Sequence, residues 1–587
     1  MSIQTLNDIF FAIAGRDQPQ CMLRKADSEW VPISAREVAA KVMGLVEALR
    51  SWGISRGDRV AILSENRHEW MVVDFACMLL GAVVVPIYTT LTPEQTAYIL
   101  TDSGARAIFV SSQKHLEKVL SILPTTAVEK VAIMDDVDTG RAIKLSSLMQ
   151  LAGDVRLETI SRDAKPDQLA TIIYTSGTTG TPKGVILTHG NMASNINYSL
   201  REFGFGRGMS CVSFLPLSHV TARSVDLGLI YSGVTLAHLP QIDRLPQALR
   251  EVRPNILLSV PRVYEKVHSQ VELRAEKFPK KQIYRWALGV GRLHRNEILA
   301  GKIPGSLAWK LANRLLFSKV RAEIGGRVEF FISGGAPLGR ELAEWYADIG
   351  IRIFEGYGLT ETSPVIAVNT PNAHRVGSVG KPLANVDVRI ADDGEILVRG
   401  PSVFHSYWNK PQETREAFME DWFRTGDIGR IDEDGFLYVT DRKKDLLKTS
   451  GGKFIAPQPI ESSFKHYPWI AEAIVIGDKR KFPAVLIIPN FAAVENYARM
   501  QGLAFSSHQE LIAIPEVHAR YADIVRSVNE DLAQFERLKK FHLVSEELSS
   551  ANGTLTASMK IRRRAIEEHF KREIDEMYSE AEVTSMT

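Results

Sequence analysis

Apolar positions in the first part of the chain form long helix-like stretches that alternate with short β-rich runs. AREVAAKVMGLVEALRSWG and PEQTAYILTDSG are typical of helices, whereas RVAILS, AVVVPIY and ARAIFVSS are typical of strands. The same alternation continues through NILLSVPRVYEKV and RVEFFISGGAPL. Because helices that alternate with strands cover the faces of largely parallel sheets, this pattern predicts an α/β fold built in layers.

The pattern changes near residue 385. NVDVRIADDGEILVRG and DIGRIDEDGFLYVT read as short strands around Asp-Gly turns, which predicts antiparallel hairpins in a β-rich subdomain. The stretch from Asp441 to Phe454 mixes charges with glycines and is interpreted as a linker. Beyond it, EAIVIGD and PAVLIIPN predict a strand pair followed by charged helices. We therefore predict a large N-terminal domain, residues 1–440, and a small α+β domain, residues 441–587.

The length, net charge and cysteine content of the chain exclude several classes of protein. At 587 residues the chain exceeds one core, and its formal net charge of +2 predicts no nucleic-acid partner. The three widely spaced cysteines predict buried thiols in a reducing, cytoplasmic compartment. The N-terminus does not read as a secretory signal. Trp70 to Tyr88 approaches transmembrane length, but Asp74, Gly81 and Pro86 predict a buried helix, a turn and a buried strand.

The segment YTSGTTGTPKG, from Tyr174 to Gly184, follows a strand-like apolar run. Its glycines allow close backbone approach, and its hydroxyls and Lys183 add donors and a positive charge, as an oligophosphate requires. The spacing is not that of a Walker A loop, because Lys183 follows a proline and precedes Gly184. On composition alone, a surface loop and a phosphate-binding loop fit equally well.

Four further motifs are each weak alone. EGYGLTE offers a glycine-flanked tyrosine that can stack on a base and a carboxylate suited to Mg²⁺. RTGD offers an aspartate that can accept hydrogen bonds from a ribose diol. The charged DRKKD run and a late lysine in TASMKIRRR complete the set. A turn or a solvated charged surface also explains each of them.

Their order over about 390 residues is more specific. The chain resembles the adenylate-forming superfamily, which includes acyl-CoA synthetases, luciferase and peptide-synthetase adenylation domains. LPLSHV, SVPRVYEKV and the extended C-terminal unit resemble long-chain fatty acyl-CoA synthetases. The resemblance implies ATP, Mg²⁺ and coenzyme A as cofactors and co-substrates. The implied reaction converts a fatty acid to acyl-AMP with release of pyrophosphate, and CoA then displaces AMP.

The resemblance also implies roles for residues of the large domain. The β- and γ-phosphates of ATP would be held by the loop, with these candidates: Thr175, Ser176, Gly177, Thr178, Thr179, Gly180 and Lys183. The adenine would stack on Tyr357 between Gly356 and Gly358, against Gly335 and Ala336. Thr360 would contact the α-phosphate and Glu361 would hold Mg²⁺. Asp427, with Arg442 beside it, would bind the ribose, and His219 would lie at the acyl carboxylate.

In the family, the small domain is mobile and rotates about a hinge between the two half-reactions. Lys560 matches the lysine that bridges carboxylate and phosphate during adenylation, although Met559 replaces the usual preceding glycine. The hinge position matches Lys444, and the face used for thioester formation would carry Lys448, Gly451 and Gly452.

Several alternatives stay open. The acyl group could pass to a carrier-protein phosphopantetheine, the acid could be of another class, or the adenylate could serve a luciferase-like oxygenation. A non-catalytic binding protein is disfavoured, because Glu361, Asp427, Arg442 and Lys560 are all present. Peripheral membrane contact and a homodimer are consistent with the resemblance. The C-terminal basic helix mixes both charge signs, so we interpret it as a solvated surface.

Overall fold

A computed structural model describes residues 2–26, 29–150, 164–175, 181–275, 279–449, 454–549, 552–555 and 561–579. Two large sheets form the first part of the chain. The seven-stranded sheet has the order β7-β6-β5-β3-β4-β8-β9 and is parallel except for the β8–β9 hairpin. Its strands are β3 (Arg59–Leu63), β4 (Val83–Ile87), β5 (Ala107–Val110), β6 (Lys130–Ile133), β7 (Ile143–Lys144), β8 (Leu169–Thr175) and β9 (Lys183–Thr188).

The nine-stranded sheet has the order β16-β15-β14-β13-β12-β10-β11-β1-β2, with a parallel centre and antiparallel ends. Its strands are β1 (Met22–Ala26), β2 (Glu29–Ile33), β10 (Ser210–Ser213), β11 (Thr235–His238), β12 (Ile256–Ser259), β13 (Phe330–Ser333), β14 (Ile353–Gly358), β15 (Val365–Val368) and β16 (Lys381–Pro382). The layered α/β architecture is confirmed.

Helices cover both sheets. Up to residue 348 they are α1 (Asn7–Ala14), α2 (Ala35–Ser51), α3 (His68–Leu80), α4 (Pro93–Ser103), α5 (Gln113–Ile122), α6 (Leu145–Met149), α7 (His189–Ser199), α8 (Val220–Ser232), α9 (Leu245–Val252), α10 (Pro261–Ala275), α11 (Lys280–Leu299), α12 (Leu307–Ala312), α13 (Ser318–Glu323) and α14 (Arg340–Asp348). The run from Trp70 to Tyr88 is helix α3, a left-handed turn at Gly81 and the wholly buried strand β4, as predicted. Among the described helices, none has the length and apolar content needed to cross a bilayer.

The β-rich subdomain is a five-stranded antiparallel sheet of β17 (Asp387–Ile390), β18 (Glu395–Arg399), β19 (Phe418–Met419), β20 (Trp422–Ile431) and β21 (Leu437–Arg442), with α15 (Pro411–Glu416) beside it. Both predicted Asp-Gly hairpins are present, as β17–β18 and β20–β21. The predicted linker differs in part. Asp441 and Arg442 continue the hairpin by pairing with Ile428 and Asp427, so regular structure extends into the charged stretch.

The last part of the chain has its own cores and two sheets of its own. Its strands are β22 (Leu447–Lys448), β23 (Phe454–Ile455), β24 (Ile470–Ile476), β25 (Ala484–Pro489) and β26 (Phe541–Leu543), and its helices are α16 (Pro457–Phe464), α17 (Phe491–Gln501), α18 (His508–Ala513), α19 (Pro515–Glu530), α20 (Arg563–His569) and α21 (Lys571–Tyr578). The two sheets are β22-β23 and β24-β25-β26, and the predicted strand pair is β24–β25. Two apolar clusters here draw only on residues from 447 onward.

Candidate active site

The glycine- and threonine-rich segment joins two antiparallel strands at one end of the seven-stranded sheet. Thr175 ends β8 and Lys183 begins β9, and the two residues are paired across the hairpin. Beside them, the Tyr174 hydroxyl donates a hydrogen bond to Asp102 Oδ2 at 2.5 Å. Five of the predicted phosphate-binding positions lie outside the described residues: Ser176, Gly177, Thr178, Thr179 and Gly180. The strands therefore fix both ends of the predicted phosphate loop.

Lys183, Glu361 and Tyr407 come together beside this hairpin. The Lys183 ammonium lies 5.4 Å from the centre of the Tyr407 ring. The Tyr407 hydroxyl donates to Glu361 Oε1 at 2.9 Å. Backbone contacts hold the same arrangement, because Tyr407 pairs with Val185 of β9 and the Phe404 amide donates to the Glu361 carbonyl at 2.8 Å. One aromatic ring thus joins a lysine and a carboxylate from distant segments.

The Gly-Tyr-Gly motif lies at the carboxyl edge of the nine-stranded sheet. Three predicted residues end β14 there: Gly356, Tyr357 and Gly358. Two others follow the parallel strand β13 at the same edge: Gly335 and Ala336. A Cβ atom placed on Gly334 would lie 3.7 Å from the Gly356 oxygen, so the two glycine segments adjoin. The carboxyl edge of parallel strands is where open α/β sheets bind ligands.

A hydrogen bond joins Tyr357 to Asp427. The Tyr357 hydroxyl donates to Asp427 Oδ2 at 2.7 Å, and Asp427 is buried, with 5% of its surface exposed. Asp427 pairs with Arg442 across β20 and β21, which brings Arg442 Nε to 3.5 Å from Asp427 Oδ1. The Asp427 amide donates to the Thr425 hydroxyl at 3.1 Å. The residues predicted for adenine and ribose, which belong to different sheets, are therefore in direct contact.

The electrostatics of these groups follow from burial. Burial raises the pKa of the Glu361 carboxyl above its usual value, while the Tyr407 hydrogen bond opposes this rise. Burial and the Asp427 carboxylate raise the pKa of Tyr357 well above its usual value. A tyrosine with a raised pKa keeps its proton at neutral pH, so Tyr357 remains a hydrogen-bond donor.

Glu361 fits the predicted magnesium role. Within the part of the chain that the structure describes, no group of three or more His, Cys, Asp or Glu side chains is placed to hold a metal ion. Mg²⁺ commonly uses one or two protein carboxylates and takes its other ligands from substrate phosphates and water. A single carboxylate close to the ends of a phosphate loop meets this requirement.

Thr360 and His219 lie on elements that contact each other. Thr360 begins the 3₁₀ turn Thr360–Thr362 directly after β14. His219 caps the N-terminus of α8, where its Nδ1 accepts a hydrogen bond from the Thr221 amide at 3.2 Å. Farther along α8, the Ser224 hydroxyl donates to the Ser363 carbonyl at 3.4 Å. The turn with Thr360 and the helix that His219 caps are thus packed together.

The predicted residues of the C-terminal part are only partly described. Burial lowers the pKa of Lys444, and the charge of Arg442 lowers it further. Lys448 ends β22, and its amide donates to Asp478 Oδ1 at 3.2 Å. Gly451, Gly452 and Lys560 lie outside the described residues. Leu555 and Ile561, on either side of the segment with Lys560, pair in an antiparallel bridge.

Two family models match the chain, the AMP-binding enzyme model over residues 14–408 and the AMP-binding enzyme C-terminal domain model over residues 444–582. The chain belongs to the AMP-binding enzyme family. It is 35% identical over 590 residues to FadD15 of Mycobacterium bovis, a long-chain-fatty-acid–CoA ligase, across 96% of this chain and 95% of that protein. It is 30% identical to the human long-chain-fatty-acid–CoA ligase ACSBG2, across 94% of this chain and 89% of that protein.

Solved structures show the same fold. The adenylation domain of a Mycobacterium chelonae carboxylate reductase superposes with a TM-score of 0.78 at 22% identity, covering 98% of this chain and 91% of that one. The anthranilate–CoA ligase AuaEII, solved with anthranoyl-AMP, superposes with a TM-score of 0.76 at 20% identity, covering 97% and 98%. The architecture of an AMP-binding enzyme therefore extends over nearly the whole chain.

Tyr407 is the residue of this AMP-binding enzyme that sequence reasoning missed. It lies in PSVFHSYWNK, which has none of the glycine or charge patterns that mark the other motifs. The available signal was the run of aromatic residues between the two stretches that predict hairpins. Its contacts to Glu361 and Lys183 are long-range and emerge only in the fold.

Proposed function

We propose that this AMP-binding enzyme activates long-chain fatty acids. The fatty-acid carboxylate attacks the α-phosphorus of ATP, which gives acyl-AMP and pyrophosphate. The CoA thiol then attacks the acyl carbonyl, which gives acyl-CoA and AMP with loss of the thiol proton. The observation that carries the proposal is the presence of two side-chain groups, Tyr357–Asp427 and Lys183–Tyr407–Glu361, each built from separate segments of the large domain. The named long-chain ligases among its relatives support the choice of acid.

The chain's own residues would bind and orient the nucleotide. Tyr357 offers a ring face for adenine, and Asp427 offers carboxylate oxygens for the ribose hydroxyls. Lys183 offers a positive charge at the start of β9, where it would stabilise the departing pyrophosphate. When bound to Glu361, Mg²⁺ would neutralise phosphate charge during the displacement. His219 would face the carboxylate of the acid from the N-terminus of α8.

We also propose that residues 1–440 and 441–587 are separate domains that reorient between the two steps. Lys444 would be the hinge, Lys560 would serve adenylation, and Lys448, Gly451 and Gly452 would face CoA. Separate apolar clusters from residue 447 onward support independent packing of the small domain. A cytoplasmic location is part of this proposal, and a homodimer would be tested by sedimentation velocity.

The first experiment measures pyrophosphate release with ATP, Mg²⁺ and fatty acids of increasing length, with and without CoA. Release that increases with chain length and needs CoA for sustained turnover is the expected result. A single equivalent of pyrophosphate that CoA does not change would indicate a different acyl acceptor, such as a carrier protein. No release with any acid would overturn the proposed substrate class.

Variants separate the roles. Lys560→Ala should abolish most acyl-AMP formation while leaving the reaction of supplied acyl-AMP with CoA largely intact; an equal loss in both steps would refute its role.

Asp427→Asn should raise the KM for ATP about tenfold or more, because a charge-assisted contact is lost. The matched control is Asp432→Asn, which alters a carboxylate at the turn of the same β20–β21 hairpin. Equal effects of the two variants would argue against ribose binding by Asp427.

A further inference from the structure

Large apolar side chains are exposed on one helical hairpin far more than elsewhere. Fifteen such side chains are exposed among the described residues, and seven of them fall between residues 283 and 315. We call these seven the α11–α12 surface: Ile283, Trp286, Leu293, Ile303, Leu307, Leu311 and Leu315. Ile303 is 90% exposed, and Leu293 and Leu307 are each 83% exposed. Isolated exposed apolar residues are ordinary in proteins, but a group of this size marks an interaction site.

The tip of the hairpin brings the three most exposed members together. His294 Nε2 lies 2.8 Å from the Ser306 hydroxyl, so the chain positions next to each of them, Leu293 and Leu307, are neighbours across the hairpin. Ile303 belongs to the short connection between the two helices. These residues therefore form one patch.

Helical spacing extends the patch along both arms. Trp286 and Leu293 are seven residues apart in α11, and residues at this spacing share a helix face. Leu307, Leu311 and Leu315 follow at intervals of four from α12 into the π-helical turn Asn313–Phe317. Buried side chains anchor the opposite side of the hairpin, including Trp309 and Phe317. The exposed side chains therefore lie on the solvent side of a hairpin whose other side is packed against the protein.

The charge of the same segment is strongly one-sided. Residues 280–321 contain ten Lys or Arg and one acidic residue, Glu297, in a chain whose net charge is only +2. Arg295 is used internally, since it pairs with Asp348 and Glu344. Others are largely exposed, and among them are Lys281, Arg285, Lys302, Lys310 and Arg314. Exposed leucines and exposed lysines and arginines therefore occur together in this segment.

We propose that the α11–α12 surface docks on an anionic membrane. Its leucine and isoleucine side chains would enter the boundary between headgroups and acyl chains, and its lysines and arginines would contact lipid phosphates. A second copy of the chain is the weaker occupant, because a symmetric contact would place this basic segment against itself. The docking proposal rests on the geometry and charge of the α11–α12 surface. Only the expected advantage of docking, access to an acid that partitions into lipid, rests on the proposed function.

The test is co-sedimentation of the full chain with vesicles of phosphatidylcholine, with and without phosphatidylglycerol. The wild-type protein should bind the anionic vesicles at least about tenfold more strongly than the neutral ones. Leu293→Ser/Ile303→Ser/Leu307→Ser should weaken binding to anionic vesicles at least about tenfold, because the inserted apolar area is lost. Lys302→Glu/Lys310→Glu/Arg314→Glu should remove the preference for anionic lipid.

Matched controls change similar side chains elsewhere. Met500→Ser removes an exposed apolar side chain, and Lys571→Glu/Arg572→Glu reverses charges on α21. Both should bind vesicles within about twofold of the wild type. Pyrophosphate release with octanoate in vesicle-free buffer reports the proposed function separately and should be unchanged in every variant.

Three results would overturn the docking proposal whatever the octanoate assay gives. The first is wild-type protein that does not bind anionic vesicles. The second is an apolar triple variant that binds as strongly as the wild type. The third is a wild-type dimer that the apolar variant converts to a monomer in sedimentation velocity, which would assign the surface to a second copy. Absence of pyrophosphate release by the wild type with every fatty acid tested would instead refute only the proposed function.

Discussion

Replacing Arg223 by methionine should strongly destabilise the large domain. Arg223 belongs to α8, beside the nine-stranded sheet, and Asp74 belongs to α3, beside the seven-stranded sheet. The guanidinium Nε donates to Asp74 Oδ2 at 2.9 Å and Nη2 donates to Oδ1 at 2.5 Å. Both side chains are 1% exposed. The pair therefore joins α3 to α8 through charges that water does not reach.

The expected magnitude follows from this burial. Removing one partner of a buried ion pair leaves the other charge without compensation and costs about 3–5 kcal/mol of unfolding free energy. The same reasoning predicts a much smaller cost for removing both charges. No hydrogen-bond partner among the described residues reaches Arg223 Nη1, so the native pair is itself incompletely satisfied. Asp74→Leu/Arg223→Met should therefore lie within about 1–2 kcal/mol of the wild type.

The assay is urea unfolding followed by tryptophan fluorescence. The chain has nine tryptophans, and one of them, Trp70, is fully buried 5.6 Å from the Arg223 guanidinium, so the fluorescence signal includes a reporter beside the ion pair. Wild type, the two single variants and the double variant form a double-mutant cycle. A coupling energy below about 1 kcal/mol, or a double variant as unstable as the sum of the singles, would refute the reasoning. Since His219 caps the same helix, the single variants should also raise the KM for the acid.

Three further changes test separate features. Burial raises the pKa of Asp226 to about 7, so protonation of Asp226 stabilises the folded state fully below pH 3.8, and this stabilisation is lost as the pH rises through about 7. The stability of Asp226→Asn relative to wild type in urea unfolding should therefore increase by about 2.5 kcal/mol between about pH 5 and 8. A difference that stays constant with pH would contradict this assignment. Tyr357→Phe should raise the KM for ATP about fivefold through loss of one hydrogen bond, with Tyr438→Phe on β21 as the silent control. A Cβ at Gly358 would lie 1.7 Å from the Pro364 backbone oxygen, whereas a Cβ at Gly356 would stay 3.5 Å or more from its neighbours. In thermal unfolding, Gly358→Ala should therefore lower the free energy of unfolding by at least about 2 kcal/mol and Gly356→Ala by less than about 1 kcal/mol. Equal losses in the two variants would refute the clash.

Local chemistry made much of the fold predictable. The Asp-Gly turns specify the β17–β18 and β20–β21 hairpins within a few residues, and Gly81 separates α3 from β4 because it adopts φ 72°. Tyr357 and Asp427 could be proposed from their motifs because each sits beside glycines. In every case the determining residues are close in sequence, so no knowledge of tertiary contacts was needed.

Features that depend on distant partners were not predictable. Asp74 interrupts an apolar run and argued against a membrane span, but its partner Arg223 is 149 residues away and carries no local signal. Tyr407 contacts Glu361 across 46 residues through a side chain that resembles any aromatic in a loop. The α11–α12 surface was also missed, because leucines at helical spacing ordinarily predict a buried face. Only the tertiary structure separates the leucines that pack from those that face solvent.

The two carboxylates at the centre of the proposed function share one arrangement. Asp427 and Glu361 each accept a hydrogen bond from a tyrosine hydroxyl, at 2.7 Å and 2.9 Å. A neutral donor orients a carboxylate without cancelling its charge, whereas a bidentate arginine would neutralise it and occupy both oxygens. Both carboxylates are therefore oriented by a tyrosine, and Asp427 is in addition paired with Arg442, whose Nε lies 3.5 Å from Asp427 Oδ1. Because Tyr357 lies in β14 and Tyr407 bridges to Val185 of β9, the two carboxylates are oriented by the fold itself, before any nucleotide binds.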